Sequence, residues 1–383
     1  MSLELLYTLL IVSAVVHVIA LAAIIRALVT TRRLQGEIAT IGRLREREAT
    51  IEPTPTSGRG RQVALVVNPT KAEADDVVRL VHSACSRAGM PVPVLLATTA
   101  ESPGHTMTVE ALERNADLVI VAGGDGTVRA AAAELTGTGV ALGIIPLGTG
   151  NLFARNMGLP HHDLEACVDK ALHGLSHRVD TLDLVLQRPD GAMDKENSLV
   201  IAGGGLDAEV MGDTRDTLKQ RAGWLAYGEA GMRHMTGRRR SITVAVDDAE
   251  PETHKVRSVM LANCGSLQAG MLLVPSARFD DGLLDTVLFT PRHAWDWATI
   301  VAKTVTRFSA EIPVMKVRQA RVATLTMAEP LPFQIDGDAV GEVVRVEARV
   351  RPSSLVVNGV GTVPWDGLRQ ISDDPAQDWE KAS

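Results

Sequence analysis

The chain has 383 residues, 45% of them hydrophobic and 22% charged, with 33 glycines and a formal net charge of −7, which is length enough for two domains around a sizeable core. An acidic balance excludes nucleic acid as the main partner, because binding a phosphate backbone needs a concentrated basic surface. Cys85, Cys167 and Cys264 lie far apart with no CxxC pair, which excludes a zinc-ribbon site and a disulfide framework and points to a reducing compartment.

In chain order, the first predicted element is the apolar run LLYTLLIVSAVVHVIALAAII at 5–25, long enough as a helix to cross a hydrocarbon core of roughly 30 Å. A cleaved signal peptide would need a basic stretch before the run. Here Glu4 precedes it, and Arg26, Arg32 and Arg33 follow. The positive-inside bias therefore predicts a single-pass protein of the cell membrane, anchored by 1–30, with the rest facing the cytoplasm. Over 31–60, Leu34, Ile38, Ile41 and Leu44 recur at helical spacing before the turn-rich EPTPTSGRGR at 52–61. That is a juxtamembrane helix and a linker, the helix lying on the bilayer, pairing with a second copy or standing in solvent.

From 61 to 181 strands and helices alternate. QVALVVN (62–68), VPVLLAT (92–98), DLVIVA (117–122) and VALGII (140–145) read as strands. Helices are predicted over 73–89 and 105–114, from Thr127, and from Leu152. The order predicts an α/β nucleotide-binding domain with a mostly parallel sheet, whose ligand sits beyond the carboxyl ends of the strands. From 182 to 360 the pattern changes. After a helical region at 211–236 come short β-branched runs, SITVAVD, SVMLANCG, LLDTVLFT, VRQARVATLTM, PFQIDGD and EVVRVEARV, which predict an antiparallel, β-rich second domain, a sandwich or half-barrel. A cleft between the two domains is the expected active site, and the acidic 361–383 reads as a tail.

Two glycine turns stand at strand ends, GGDGT at 123–127 and PLGTGN at 146–151. Glycine admits close backbone approach, and a helix start behind it adds N–H groups and positive dipole, so polyphosphate is the natural ligand. Asp125 among phosphates implies Mg²⁺ or proton transfer. Neither loop matches GxxxxGK[ST] or GxGxxG.

With IDGD at 335–338, these motifs resemble the diacylglycerol kinase catalytic-domain family, which includes bacterial lipid kinases, sphingosine kinases and ceramide kinases; the resemblance spans roughly 62–350. GGDGT alone is shared with NAD kinases and phosphofructokinases, and PLGTGN narrows the choice to lipid kinases. The resemblance implies an ATP- and Mg²⁺-dependent transfer of phosphate to a lipid hydroxyl, with diacylglycerol the family default acceptor, and a homodimer. It assigns nucleotide contacts to Asn68, Thr99 (or Thr98), Gly123, Gly124, Asp125, Gly126, Thr127, Gly148, Thr149 and Asn151. It assigns a structural Mg²⁺ to the Asp281 carboxylate with the carbonyls of Arg278 and Leu283, hard oxygen ligands suited to that ion. Asp338 takes the place of the family's base for the lipid hydroxyl, Asp336 orients it or joins a water–Mg²⁺ network, and Asp125 competes as base.

Three departures mark this chain. The first loop, NPTKAEAD, lacks the usual Ser-Gly, with Lys71 as an electrostatic substitute; Arg129 and Ala130 replace Asn-Glu after GGDGT; and Asp338 is a methylene shorter than the usual glutamate. An NAD kinase-like enzyme and a catalytically decayed nucleotide-binding regulator are the alternatives. The pair His161-His162 has no further ligand at metal spacing and reads as loop. The basic residues of GRRRS (237–241) with Lys219, Arg221 and Arg233 read as anionic-headgroup contacts or as solvated loop.

Overall fold

The structure, a computed structural model, describes residues 60–161, 163–205, 239–266, 272–293, 296, 299–300 and 312–361. The apolar run at 5–25, the juxtamembrane helix, most of the linker, the helical region at 211–236 and the tail lie outside these residues. Placement as a single-pass cell-membrane protein is corrected: among the described residues no helix is long and apolar enough to cross a membrane.

The first half alternates as its hydrophobic periods dictate. Strands β1 (Val63–Val67), β2 (Val94–Ala97), β3 (Leu118–Gly123) and β4 (Ala141–Pro146) are separated by helices α1 (Ala74–Arg87), α2 (His105–Glu113) and α3 (Asp125–Leu135). They pair in parallel in the order β4-β3-β1-β2. Every residue of β1, β3 and β4 is buried, as strands covered on both faces must be. Helix α1 turns Val77, Val81, Ala84 and Cys85 inward, with Asp75 and Asp76 in its first turn and Arg87 in its last, matching its dipole. Two further helices, α4 (Leu152–Asn156) and α5 (Leu164–His173), follow β4. Asp163 caps α5 by accepting the Ala166 N–H.

The second half is antiparallel: β5 (Ser176–Gln187), β6 (Met193–Ser198), β7 (Ile201–Gly205), β8 (Arg240–Val246), β9 (Glu252–Val256), β10 (Ser258–Ala262), β11 (Leu284–Phe289), β12 (Met315–Ala320), β13 (Val322–Ile335) and β14 (Asp338–Asn358). Its core includes Leu184, Val244, Leu261, Leu325 and Val346. The two halves are not detached layers. β14 runs antiparallel to β13 and β5, then pairs in parallel with β4 at Val356 and Val357, so a single sheet crosses from one half to the other. The domain boundary expected between 181 and 182 falls inside β5, and the run at 317–327 is two strands broken at Arg321.

Candidate active site

The cradle begins where β3 ends. Gly124 is the N-cap of α3, whose first turn is Asp125, Gly126 and Thr127, so N–H groups without helical partners stand at the strand's carboxyl end. Ala130, Ala131 and Ala132 are buried, which explains the alanine run: small side chains let α3 lie close to the sheet. The second loop leaves β4 beside the first. The Leu147 N–H donates to the Gly123 carbonyl at 2.8 Å. A Cβ on Gly148 would stand 2.9 Å from Gly124 Cα, so the two glycine turns touch backbone to backbone. Gly123 is glycine for another neighbour, since its Cβ would meet the Thr127 side chain at 2.7 Å.

Asp125 ties the loops together: its Oδ1 accepts the Leu152 N–H at 2.6 Å, at the start of α4. Burial pushes its carboxyl above the ordinary carboxylate range, and the N–H groups of Leu152, Phe153 and Asn151 pull it back. Asn151, left-handed at φ 48 and buried, turns its amide on its own loop, accepting from Gly148 N–H and donating to Gly148 O. Its side chain therefore shapes the loop that carries Gly148 and Thr149. Thr149 is exposed. Thr99 is exposed too, its hydroxyl accepting the Ser102 N–H, whereas Thr98 is buried. Asn68 accepts from both the N–H and the hydroxyl of Thr70.

A cleft of about 850 Å³ opens over α3. Of the residues picked out from the sequence, Asn68, Lys71, Gly124, Gly126, Thr127, Arg129, Ala130 and Asp338 line it. Asp338 arrives from the other half of the chain, at the start of β14, with Oδ2 only 3.3 Å from where a Gly126 Cβ would sit. Arg129, on α3, donates from Nη2 to that same oxygen at 2.9 Å. The floor from β5, β6 and β14 adds Asp183, Lys195, Glu196, Asn197, Glu347 and Arg349. Sequence reasoning missed these because strand pairing over long separations brings them together; the period-two exposure of β5 and β6 is the only local trace.

Asp336 does not serve the cleft. It is buried, its Oδ1 accepts the Ser198 hydroxyl and the Val200 and Ile201 N–H groups, and its Oδ2 accepts the Leu199 N–H. The expected role in orienting the base or in a water–Mg²⁺ network gives way to a structural one: the carboxylate fixes the β6–β7 connection beneath the β13–β14 turn that presents Asp338.

The Mg²⁺ group implied by the resemblance sits elsewhere, around Asp281. That carboxyl is pushed up to about 7 by burial, with Asp285 and Asp180 adding like charge. Its Oδ1 accepts the Leu283 N–H, while the Arg278 side chain pairs with Asp280. Among the described residues no group of three or more His, Cys, Asp or Glu is placed to hold a metal. A half-buried carboxyl crowded by Asp285 and Asp180 gains from a nearby cation, and as a single side-chain ligand it would leave the rest of a hard cation's shell to carbonyls and water.

Residues 62–184 match the diacylglycerol kinase catalytic domain model, and 200–359 match the YegS C-terminal NAD kinase beta sandwich-like domain. The chain belongs to the diacylglycerol kinase catalytic-domain family. It is an ATP-dependent lipid kinase. Among curated relatives, a diacylglycerol kinase of Mycobacterium tuberculosis (strain ATCC 25618 / H37Rv) is 30% identical over 251 residues, 64% of this chain and 75% of that one. A diacylglycerol kinase of Bacillus subtilis (strain 168) is 25% identical over 244 residues, 63% of this chain and 78% of that one. The kinase fold is shared with a crystal structure of a diacylglycerol kinase from Bacillus anthracis str. Sterne, with a TM-score of 0.61 at 21% identity, over 79% of this chain and 98% of that one.

Proposed function

We propose that this kinase phosphorylates diacylglycerol to phosphatidic acid, with the two glycine loops holding the ATP phosphates and Asp338 as general base. The observation that carries the reading is the placement of Asp338, whose carboxylate lies against Gly126 in the first turn of α3. Phosphates held on the N–H groups of Gly124, Gly126 and Thr127 would present their terminal group to that carboxylate. The acceptor hydroxyl attacks the γ-phosphorus as its proton passes to Asp338. The bond from the γ-phosphorus to the β,γ-bridging oxygen breaks, and ADP leaves with that oxygen.

In this scheme Asp125 is a positioning residue, since its Oδ1 already accepts the Leu152 N–H that joins the loops. Lys71, from the β1–α1 turn, adds positive charge to the phosphate side. Mg²⁺ held by Asp281 with the carbonyls of Arg278 and Leu283 would neutralise buried negative charge there. The substrate class rests on the diacylglycerol kinases among the relatives.

The test is phosphate transfer from radiolabelled ATP, in the presence of Mg²⁺, to a panel of diacylglycerol, sphingosine, ceramide and NAD, with a no-acceptor control. Labelled phosphatidic acid supports the reading. Labelled NADP, or ATP binding with no transfer to any acceptor, contradicts it.

A further inference from the structure

We propose that Arg129 is a γ-phosphate clamp, held on Asp338 in the nucleotide-free protein and transferred to the terminal phosphate when ATP enters. The inference rests on the kinase reading and extends it to a residue outside the glycine loops. The Arg129 side chain is 17% exposed and its guanidinium stands between two carboxylates, with Nη2 2.9 Å from Asp338 Oδ2 and Nη1 3.6 Å from Glu196 Oε2. Buried Nη1 has no hydrogen-bond partner. A buried N–H left unpaired carries a penalty that an acceptor would remove; Glu196 Oε2, at 3.6 Å, stops short of a hydrogen bond, and a phosphoryl oxygen entering the cleft would complete one.

Position and charge support the same assignment. Asp338 Oδ2, which Arg129 grips, lies 3.3 Å from the Cβ position of Gly126, so the guanidinium borders the turn whose N–H groups face the cleft. Phosphates approaching that turn meet Asp338 and Glu196, both repulsive to an anion. Arg129 is the cation between them. A planar guanidinium can stay beside Glu196 on one edge while it exchanges Asp338 for phosphoryl oxygens. Once its charge turns to the γ-phosphate, Asp338 is released from its ion pair toward the acceptor hydroxyl. The α- and β-phosphates are left to the glycine loops.

Because the clamp reads only the third phosphate, it separates ATP from ADP. Titration calorimetry on the full chain, in Mg²⁺ buffer without lipid, would compare a non-hydrolysable β,γ-methylene ATP analogue with ADP. Arg129→Gln is expected to weaken the analogue about tenfold or more, the effect of one charge-assisted hydrogen bond, while ADP affinity stays within about twofold. The conservative Arg129→Lys recovers part of the loss. With diacylglycerol in mixed micelles, kcat of Arg129→Gln falls by about 10³, the lower range for arginines that stabilise phosphoryl transfer, and the KM for lipid holds. Should Arg129→Gln fold poorly, Asp338→Asn supplies the second test: by freeing the clamp it raises analogue affinity, and more so in the native background than beside Arg129→Lys.

A parallel loss of ADP and analogue affinity would reduce Arg129 to a structural ion pair and overturn the proposal. So would an unchanged preference for the analogue, or an equal Asp338→Asn effect in both backgrounds. Failure of the unsubstituted protein to bind the analogue at all would instead overturn the kinase reading beneath it.

Discussion

Gly148→Ala tests whether the two loops form one cradle. Gly148 has no side chain, and its ideal Cβ would lie 2.8 Å from Asn151 Oδ1 and 2.9 Å from Gly124 Cα. Relief can come from Asn151, which would lose the Gly148 N–H and carbonyl bonds at 3.0 and 2.7 Å. With the amide buried, that loss costs about 2–4 kcal/mol, or about 3–6 °C in Tm for a fold of this size. The other relief is to push the loops apart by about 0.5 Å, the difference between the clash and ordinary contact. If a misplacement of 1 Å costs about 10²-fold in rate, half of it costs about tenfold in kcat/KM. Thermal unfolding and steady-state kinetics on the same preparation read both. A Tm within about 1 °C of the native value, together with unchanged kinetics, would refute the backbone contact between the loops.

Other consequences follow from the same geometry. Asp336→Ala removes the acceptor for three backbone N–H groups and the Ser198 hydroxyl; urea denaturation should show a loss of about 3 kcal/mol or more, whereas a direct catalytic role would give normal stability with lost turnover. Asp125→Ala uncouples the Leu152 N–H from the first loop. It should weaken ATP and ADP alike in calorimetry, while a loss confined to turnover would restore Asp125 as the base. If Asp281 holds Mg²⁺, millimolar Mg²⁺ should raise the Tm of the native protein and Asp281→Asn should abolish that rise while leaving ADP affinity intact; a rise that persists in the variant would place the ion elsewhere.

The parallel half was legible because its signals are local. The apolar run VALVV ends at an Asn-Pro turn and LVIVAG at a glycine turn, and the period changes from strand to helix at each one. The two loops could be paired on paper because β3 and β4 are neighbours in a parallel sheet. What stayed hidden depends on long-range pairing. β14 reads from sequence only as EVVRVEARV, because Pro352 sits in the irregularity between Arg351 and Leu355 and breaks the pattern of a strand that continues to Asn358. Asp336 and Asp338 flank one glycine and look alike, yet the register that pairs Ile335 with both Ala202 and Asp338 buries one and exposes the other. Arg129 looked like a lost family position. Only the approach of β14 to α3 gives it Asp338 as a partner.

Transfer of labelled phosphate from ATP to diacylglycerol, compared between the native chain and Asp338→Asn, decides whether this carboxylate is the base of a diacylglycerol kinase. The native protein should yield phosphatidic acid, and the variant should lose about 10²-fold or more in kcat with nucleotide binding retained. Near-native turnover by Asp338→Asn would contradict the base assignment, and absence of lipid phosphorylation by the native chain would contradict the substrate.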